Sequence, residues 1–270
     1  MSLHRIAVSV IAVVLIIVLY SLPKVVIDND STETGITGKN ESMTSHDFKI
    51  STSDSVKMAG FYNKISSAGN NKKSIIFADS LANLYLAYNK LDSAEKFARF
   101  ILNQGDQTEN YLLAGNIFFK AFGFSKVQSE VTKFSGLAAD CFNKVLETDS
   151  KNPDVKAKLA MTMVSSANPM QGISMLREVL EEYPENETAL YNLGVLSMQS
   201  GQYDKAVDRF KKLTEINAEN VQAFFYLAVS YFELDQKDIA AELFEKVKQM
   251  DNDAAINQAA DGYLKEINEL

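Results

Sequence analysis

One cysteine, two histidines and no surplus of basic residues set the first limits on this 270-residue chain. Cys141 is alone, so no intramolecular disulfide can form, and the redox compartment stays open. Its apolar, helix-like surroundings make it a buried, inert thiol. His4 and His46 lie far from Cys141 in the chain, which removes a zinc site. A net charge of -8 and a pI near 5.0 exclude a nucleic-acid surface, because phosphate neutralisation needs clustered Lys and Arg. There is no Gly-rich phosphate loop, no Gly-x-Ser-x-Gly and no His paired with Ser, Cys or Asp. Glu178, Glu181 and Glu182 belong to solvated helix faces. The chain reads as a non-enzyme with no cofactor, no metal and no small-molecule substrate.

What is present is a repeat. Blocks of 34 residues begin at Pro153, Glu187 and Val221. The clearest reads Leu190-Tyr191-Asn192-Leu193-Gly194, then Gly201-Gln202-Tyr203-Asp204-Lys205-Ala206, then Phe210, then Asn217-Ala218-Glu219-Asn220. Small residues recur at the eighth and twentieth places: Ala160 and Gly172, Gly194 and Ala206, Ala228 and Ala240. Leu176, Phe210 and Phe244 fill the twenty-fourth place, and Val179, Leu213 and Val247 the twenty-seventh. Such a fixed period means a solenoid, in which each unit buries its apolar face against its neighbours. Pro169 opens a helix where a missing amide is harmless.

This spacing resembles the tetratricopeptide repeat (TPR) family. The resemblance implies two antiparallel helices per unit, with the first helix running from Glu187 to about Ser200 and the second from about Tyr203 to Ile216. Ile75 to Gln107 carries matching residues at Leu81-Ala82, Tyr85, Ala94 and Ile101. Thr108 to Asn152 matches at Tyr111, Ala114-Gly115, Phe118, Ala138, Phe142 and Val145, but holds 11 extra residues. Eleven residues close about three helical turns, so a helix absorbs them in register. Val127, Val131, Phe134, Ala138, Cys141 and Val145 continue one stripe, which predicts a second helix from about Ser125 to Glu147 jutting beyond the stack. Ile256, Ala259/Ala260, Tyr263, Ile267 and Leu270 form the face of a capping helix. The expected fold class is all-α: a TPR solenoid of five helix-turn-helix repeats (75–107, 108–152, 153–186, 187–220, 221–254) with a cap over 255–270, behind an N-terminal transmembrane helix.

That helix is read from Ile6 to Leu22, an uncharged apolar run slightly short of a hydrocarbon core of about 30 Å. Val25 to Ile27 extend it beyond Pro23, Lys24 can snorkel, and Tyr20 sits at the interface. No Ala-x-Ala follows Ala12 and no Cys follows the run, so residues 1–27 form an uncleaved signal anchor rather than a cleaved or lipidated leader. Arg5 before the run, against Lys24 after it, leaves the N-terminus inside and the repeats in a bacterial periplasm. Residues 28–73 form a polar tether, rich in Ser, Thr, Asn and Asp, with a short helix near 54–66.

The resemblance further implies that the first helices line a concave groove through places 2, 5, 9, 12 and 13. Carried over, these include Leu112, Asn116, Phe119, Met161, Val164, Tyr191, Val195, Met198, Phe225, Val229 and Phe232. The groove is apolar, and Met161 and Met198 suit an adaptable surface. TPR domains that hold acidic chaperone tails carry Lys and Asn at places 5 and 9; here the first block has Asp79 and Asn83, so that clamp is absent. A stripe of this kind also serves packing alone, or binding shifts to the protruding helix at Val127, Val131 and Phe134. The partner is a protein or peptide, with the membrane engaged through residues 6–22. The plan is similar to anchored envelope TPR proteins serving secretion, chaperoning or cytochrome maturation, and Asn168-Pro169-Met170-Gln171-Gly172 with the insertion resembles a TPR family of Bacteroidetes. The alternatives are a mitochondrial outer-membrane import receptor with cytosolic repeats, its groove acidic only at Asp79, Asp154 and Glu233, and a self-assembling structural element.

Overall fold

The computed structural model describes residues 50–69, 72–105, 107–165, 168–250 and 254–269. The expected anchor at residues 6–22, most of the tether and Leu270 lie outside the described residues. Among those described, no helix is long and apolar enough to cross a membrane.

Twelve helices and no strands make up the described residues. Helix α1 is Thr52–Ala68, and α12 is Ala254–Glu269. Between them lie five hairpins: α2 (Lys72–Ala87) with α3 (Leu91–Leu102), α4 (Thr108–Phe124) with α5 (Gln128–Thr148), α6 (Pro153–Val164) with α7 (Pro169–Glu182), α8 (Glu187–Gln199) with α9 (Tyr203–Ile216), and α10 (Val221–Glu233) with α11 (Lys237–Met250). Helices touch their sequence neighbours and, more lightly, the next helix of the same rank (α2 with α4, α6 with α8, α8 with α10), so the fold is a TPR-like solenoid.

The same short-range chemistry starts and stops these hairpins. Asn152, Asn186 and Asn220 stand 34 residues apart as N-caps of α6, α8 and α10. Each side-chain oxygen accepts from the amide three residues on, at 3.1, 2.8 and 3.0 Å. That satisfies one of the donors a helix start leaves without partners. Asn186 does more, since its Nδ2 donates to Asp154 at 2.7 Å in the preceding hairpin. Asn186→Ala is therefore expected to cost about 1 kcal/mol or slightly more in urea unfolding; an unchanged midpoint would show that the cap adds nothing. The turns between the two helices of a hairpin repeat as well. Asn89, Gly201 and Asp235 all have left-handed backbones. The following amide reaches back five residues in each case, Lys90 to Tyr85, Gln202 to Ser197 and Gln236 to Tyr231, which closes the helix end.

Small residues set how closely the two helices approach. A Cβ on Gly194 would lie 2.6 Å from Phe210 Cζ, and one on Gly115 would lie 2.9 Å from Phe142 Cε1. Gly172 is tighter, because its Cβ would run into the Ala160 carbonyl and sit 2.9 Å from the Val164 nitrogen, both backbone atoms of α6.

The 11 surplus residues are not carried by one jutting helix. Helix α4 has 17 residues against 13 in α8 and α10, and α5 has 21 against 14 in α9 and α11. The surplus is thus shared, about one extra turn on the first arm and two on the second, and α5 starts at Gln128 rather than Ser125. The physical reason is burial: a lone extension would expose Phe134, which is instead 1% exposed within the core cluster that holds Phe118 and Ala121 of α4. Lys133 pins the extension to α3 through Glu95, and more loosely through Asp92 at 3.5 Å.

The core is uneven along the stack. One continuous cluster runs from Met58 of α1 to Leu159 of α6. Beyond it lie three small clusters, centred on Leu176, on Phe210 and on Phe244. Helix α1 joins the large cluster through Met58, with Phe61 and Ile65 packed beside it. Tyr88 donates to Asp54 at 2.7 Å and accepts from the Ser51 amide at 3.1 Å. The Lys57 ammonium, with that tyrosine hydroxyl, holds the Asp54 carboxyl down to about 2. Cys141 lies in the large cluster at 4% exposure, and burial pushes its thiol up to about 12. A thiol held so far above neutral pH stays protonated and unreactive.

Candidate partner-binding face

The residues named from the repeat fall on the first helices of four hairpins, and none of them is fully exposed. Leu112, Asn116 and Phe119 are half-buried on α4, Met161 and Val164 on α6, Tyr191, Val195 and Met198 on α8, and Phe225 and Phe232 on α10. Val229 differs, at 6% exposure inside the Phe244 cluster. It belongs to the core and offers nothing to a partner. The remainder serve two purposes, since each half-buried side chain packs partly into the solenoid and partly reaches solvent.

That double use is plainest toward the C-terminal end. Tyr191 meets Phe210 edge-on at 6.3 Å and Tyr226 at 5.8 Å, and Phe210 stacks on Tyr226 at 5.6 Å. Phe225 contacts Tyr226, Phe244 and Tyr263, and Tyr263 stacks on Phe244 at 4.8 Å. Phe232 leans on Tyr263 at 5.2 Å. Ring pairs in these arrangements contribute roughly 0.5–1.5 kcal/mol each beyond area burial. Burial pushes the Tyr191 phenol well above its ordinary range, with Tyr226 adding to the shift, so the Tyr191 ring stays neutral at physiological pH. A cavity of about 230 Å³ opens between α10 and α12, lined by Gln222, Phe225, Tyr226, Ile256 and Ala259.

Toward the N-terminal end the same face is polar, and the repeat pattern did not reveal this. Lys120 of α4 donates to Asn83 Oδ1 of α2 at 2.6 Å, while Asn83 Nδ2 donates to Asp79 at 3.2 Å. Lys158 of α6 donates to Asn116 Oδ1 of α4 at 2.8 Å. Asp154 is held by Asn186 at 2.7 Å and Thr188 at 3.0 Å. Burial pushes the Lys158 ammonium below its usual range and the Asp79 carboxyl above its own. Asn116 was named from the sequence and does sit here, as a bridge between first helices. Lys120 falls at place 13, one of the groove places, and Lys158 at place 6, outside them; neither is among the residues carried over from the repeat. Each lysine lies a full hairpin beyond its asparagine in the chain, so no local sequence signal marked the pair.

The residues offered for the protruding helix separate. Val127 is 52% exposed at the N-cap of α5, beside Phe124 at 49%, whereas Val131 is half-buried and Phe134 is core. A wider cleft of about 640 Å³ lies between the overhang of α5 and the end of α6, with Ser135, Gly136 and Met163 in its walls.

Residues 168–224 and 197–260 match the family model described as Tetratricopeptide repeat. Among solved structures, the crystal structure of YrrB, described as a TPR protein with an unusual peptide-binding site, is 22% identical. It covers 76% of this chain and 99% of its own, with a TM-score of 0.42. The crystal structure of MamA protein is 16% identical over 67% of this chain and 93% of its own, with a TM-score of 0.41. No curated protein matches the chain.

Proposed function

We propose that this protein is a scaffold that holds a peptide or protein segment along the exposed face of its first helices. The observation that carries the reading is the aromatic half of that face. Tyr191, Tyr226, Phe225 and Tyr263 pack against one another, and Phe225 and Tyr226 line a 230 Å³ cavity sized for one large apolar side chain. Rigid rings next to a pocket supply contact area at small entropic cost, which is the property shared by binding hot spots. The run from Ile6 to Leu22 supports attachment to a membrane by an uncleaved anchor, and its flanking charges support a periplasmic placement with a role in envelope assembly, secretion or chaperoning.

A photoreactive residue is best placed at Gln222, which is exposed and borders the cavity, because Tyr191 and Phe225 are engaged in packing. Crosslinking in living cells should capture one discrete protein. Ala259→Trp, which plugs the cavity from an exposed position, should reduce that capture at least tenfold without lowering the unfolding midpoint. Capture unaffected by Ala259→Trp, or obtained only from Val127, would remove this face from the function. Protease added outside spheroplasts should digest the repeats; full protection would place them on the cytosolic side.

A further inference from the structure

We infer that Arg177 and Arg209, on the second helices α7 and α9, form an anion site whose ligand is a doubly charged phosphate monoester group. The site lies away from the first-helix face and does not rest on the scaffold reading above.

Arginine is scarce in this chain, and three of its four arginines lie among the described residues. Arg99 is neutralised along its own helix, by Glu95 at 2.8 Å. Arg177 and Arg209 have no carboxylate within 4.0 Å among the described residues. Arg177 is exposed and donates to no described residue. Arg209 is half-buried and clamped by one nitrogen. Its Nη1 donates to the Ser197 hydroxyl and, at 3.4 Å each, to the Leu193 and Lys205 carbonyls. A guanidinium presents five donors in a rigid fork, so fixing Nη1 leaves Nε and Nη2 aimed and available.

The clamp also sets where that charge stands. Leu193 and Ser197 belong to α8, and the Leu193 side chain shares a buried cluster with Leu176 and Val179 of α7. Arg177 follows Leu176 directly and turns outward where Leu176 turns in. The Arg209 head is thereby drawn to the side of its hairpin that faces α7. Burial, followed by repulsion from the Arg177 guanidinium, holds Arg209 below its usual range, and the adjacent Asp208 carboxylate offsets this only in part. The first helices α6 and α8 touch directly, whereas α7 and α9 meet chiefly through α8. The two guanidiniums therefore flank the seam over α8, like charges without a counter-charge between them.

The chemistry of the missing counter-charge follows. A phosphate monoester carries about -1.5 to -2 charges at neutral pH and three strong acceptor oxygens, enough to engage both forks at once. A carboxylate brings one charge and two oxygens, which satisfy a single guanidinium. Planar forks match phosphate geometry better than point-charge ammonium groups do.

The test follows the arginine side-chain Nε–H resonances of the full-length chain by NMR as inorganic phosphate is added at constant ionic strength. Arg177 and Arg209 should move together along one saturating curve while Arg99 stays in place. Acetate should act about tenfold more weakly, since it neutralises one fork only. Arg177→Gln should weaken the phosphate response at Arg209 about tenfold, and Arg177→Lys should restore part of it. Neither variant should lower the unfolding midpoint, because Arg177 has no partner to lose; Arg209→Gln also releases Ser197 and is not the deciding variant. O-phosphoserine and a glycine-flanked phosphoserine peptide then separate the sources. Equal affinity for both identifies a free monoester, and a peptide bound more tightly identifies a phosphorylated protein segment. Movement of Arg99 with the other two, acetate as effective as phosphate, or an Arg209 response indifferent to Arg177→Gln overturns the inference.

Discussion

Replacing Gly172 by alanine should destabilise the protein by about 2 kcal/mol, although the exchange improves helix propensity by roughly 1 kcal/mol. The added methyl would run into the Ala160 carbonyl and the Val164 nitrogen, and both belong to the backbone of α6. A side chain can rotate away from a new methyl, whereas a helix backbone must move as a body. Helices α6 and α7 would have to separate, loosening the cluster of Ala157, Ala160, Leu176 and Val179. Gly136→Ala supplies the control. Gly136 also lies inside a helix, α5, but nothing stands within 4 Å of its Cβ position, so the same exchange should stabilise by about 0.5–1 kcal/mol. Opposite signs in urea unfolding would establish close approach as the cause; the same sign at both sites would show that α6 and α7 do not cross as closely as described.

Phe210→Ala should have the larger effect, about 3–5 kcal/mol. Phe210 is fully buried, rests on Gly194 and carries Tyr191 and Tyr226 on its ring. Truncation leaves a cavity below the two tyrosines, so their outward edges lose position along with the core. Because repeats couple mainly to nearest neighbours, the damage should be local. Hydrogen exchange should show α8 to α11 opening while α2 to α5, inside the large cluster, keep their protection. Uniform loss of protection along the whole chain would contradict a segmented core.

Much of the scaffold was legible because its determinants are periodic. Small residues at the eighth and twentieth places mark close approach, and Gly194 against Phe210 shows the reason in atoms. Periodicity reports which side of a helix turns inward, and it is silent on how two helices divide extra length. The surplus before Asn152 therefore looked like one protruding helix, while burial of Phe134 required α4 to lengthen with α5. Val229 failed as a groove residue for a related reason: the ninth place of α10 is covered by the last hairpin and α12, not open as at Val195 of α8. Lys120 and Lys158 were missed because their partners, Asn83 and Asn116, lie on the preceding first helix, a lateral relation that a pattern along one helix does not express.

The division of the interior into one long cluster and three short ones also grades the stiffness of the molecule along its axis. From α1 to the start of α6, bending would shear a continuous packed interior, which resists deformation as a rigid bar does. From α6 onward each small cluster joins one hairpin to the helix that follows it, so a bend there disturbs fewer buried side chains at a time. The lysine-bearing stretch thus lies in or next to the stiffer part of the stack, and the aromatic stretch in the part that yields to a bend with fewer buried side chains displaced.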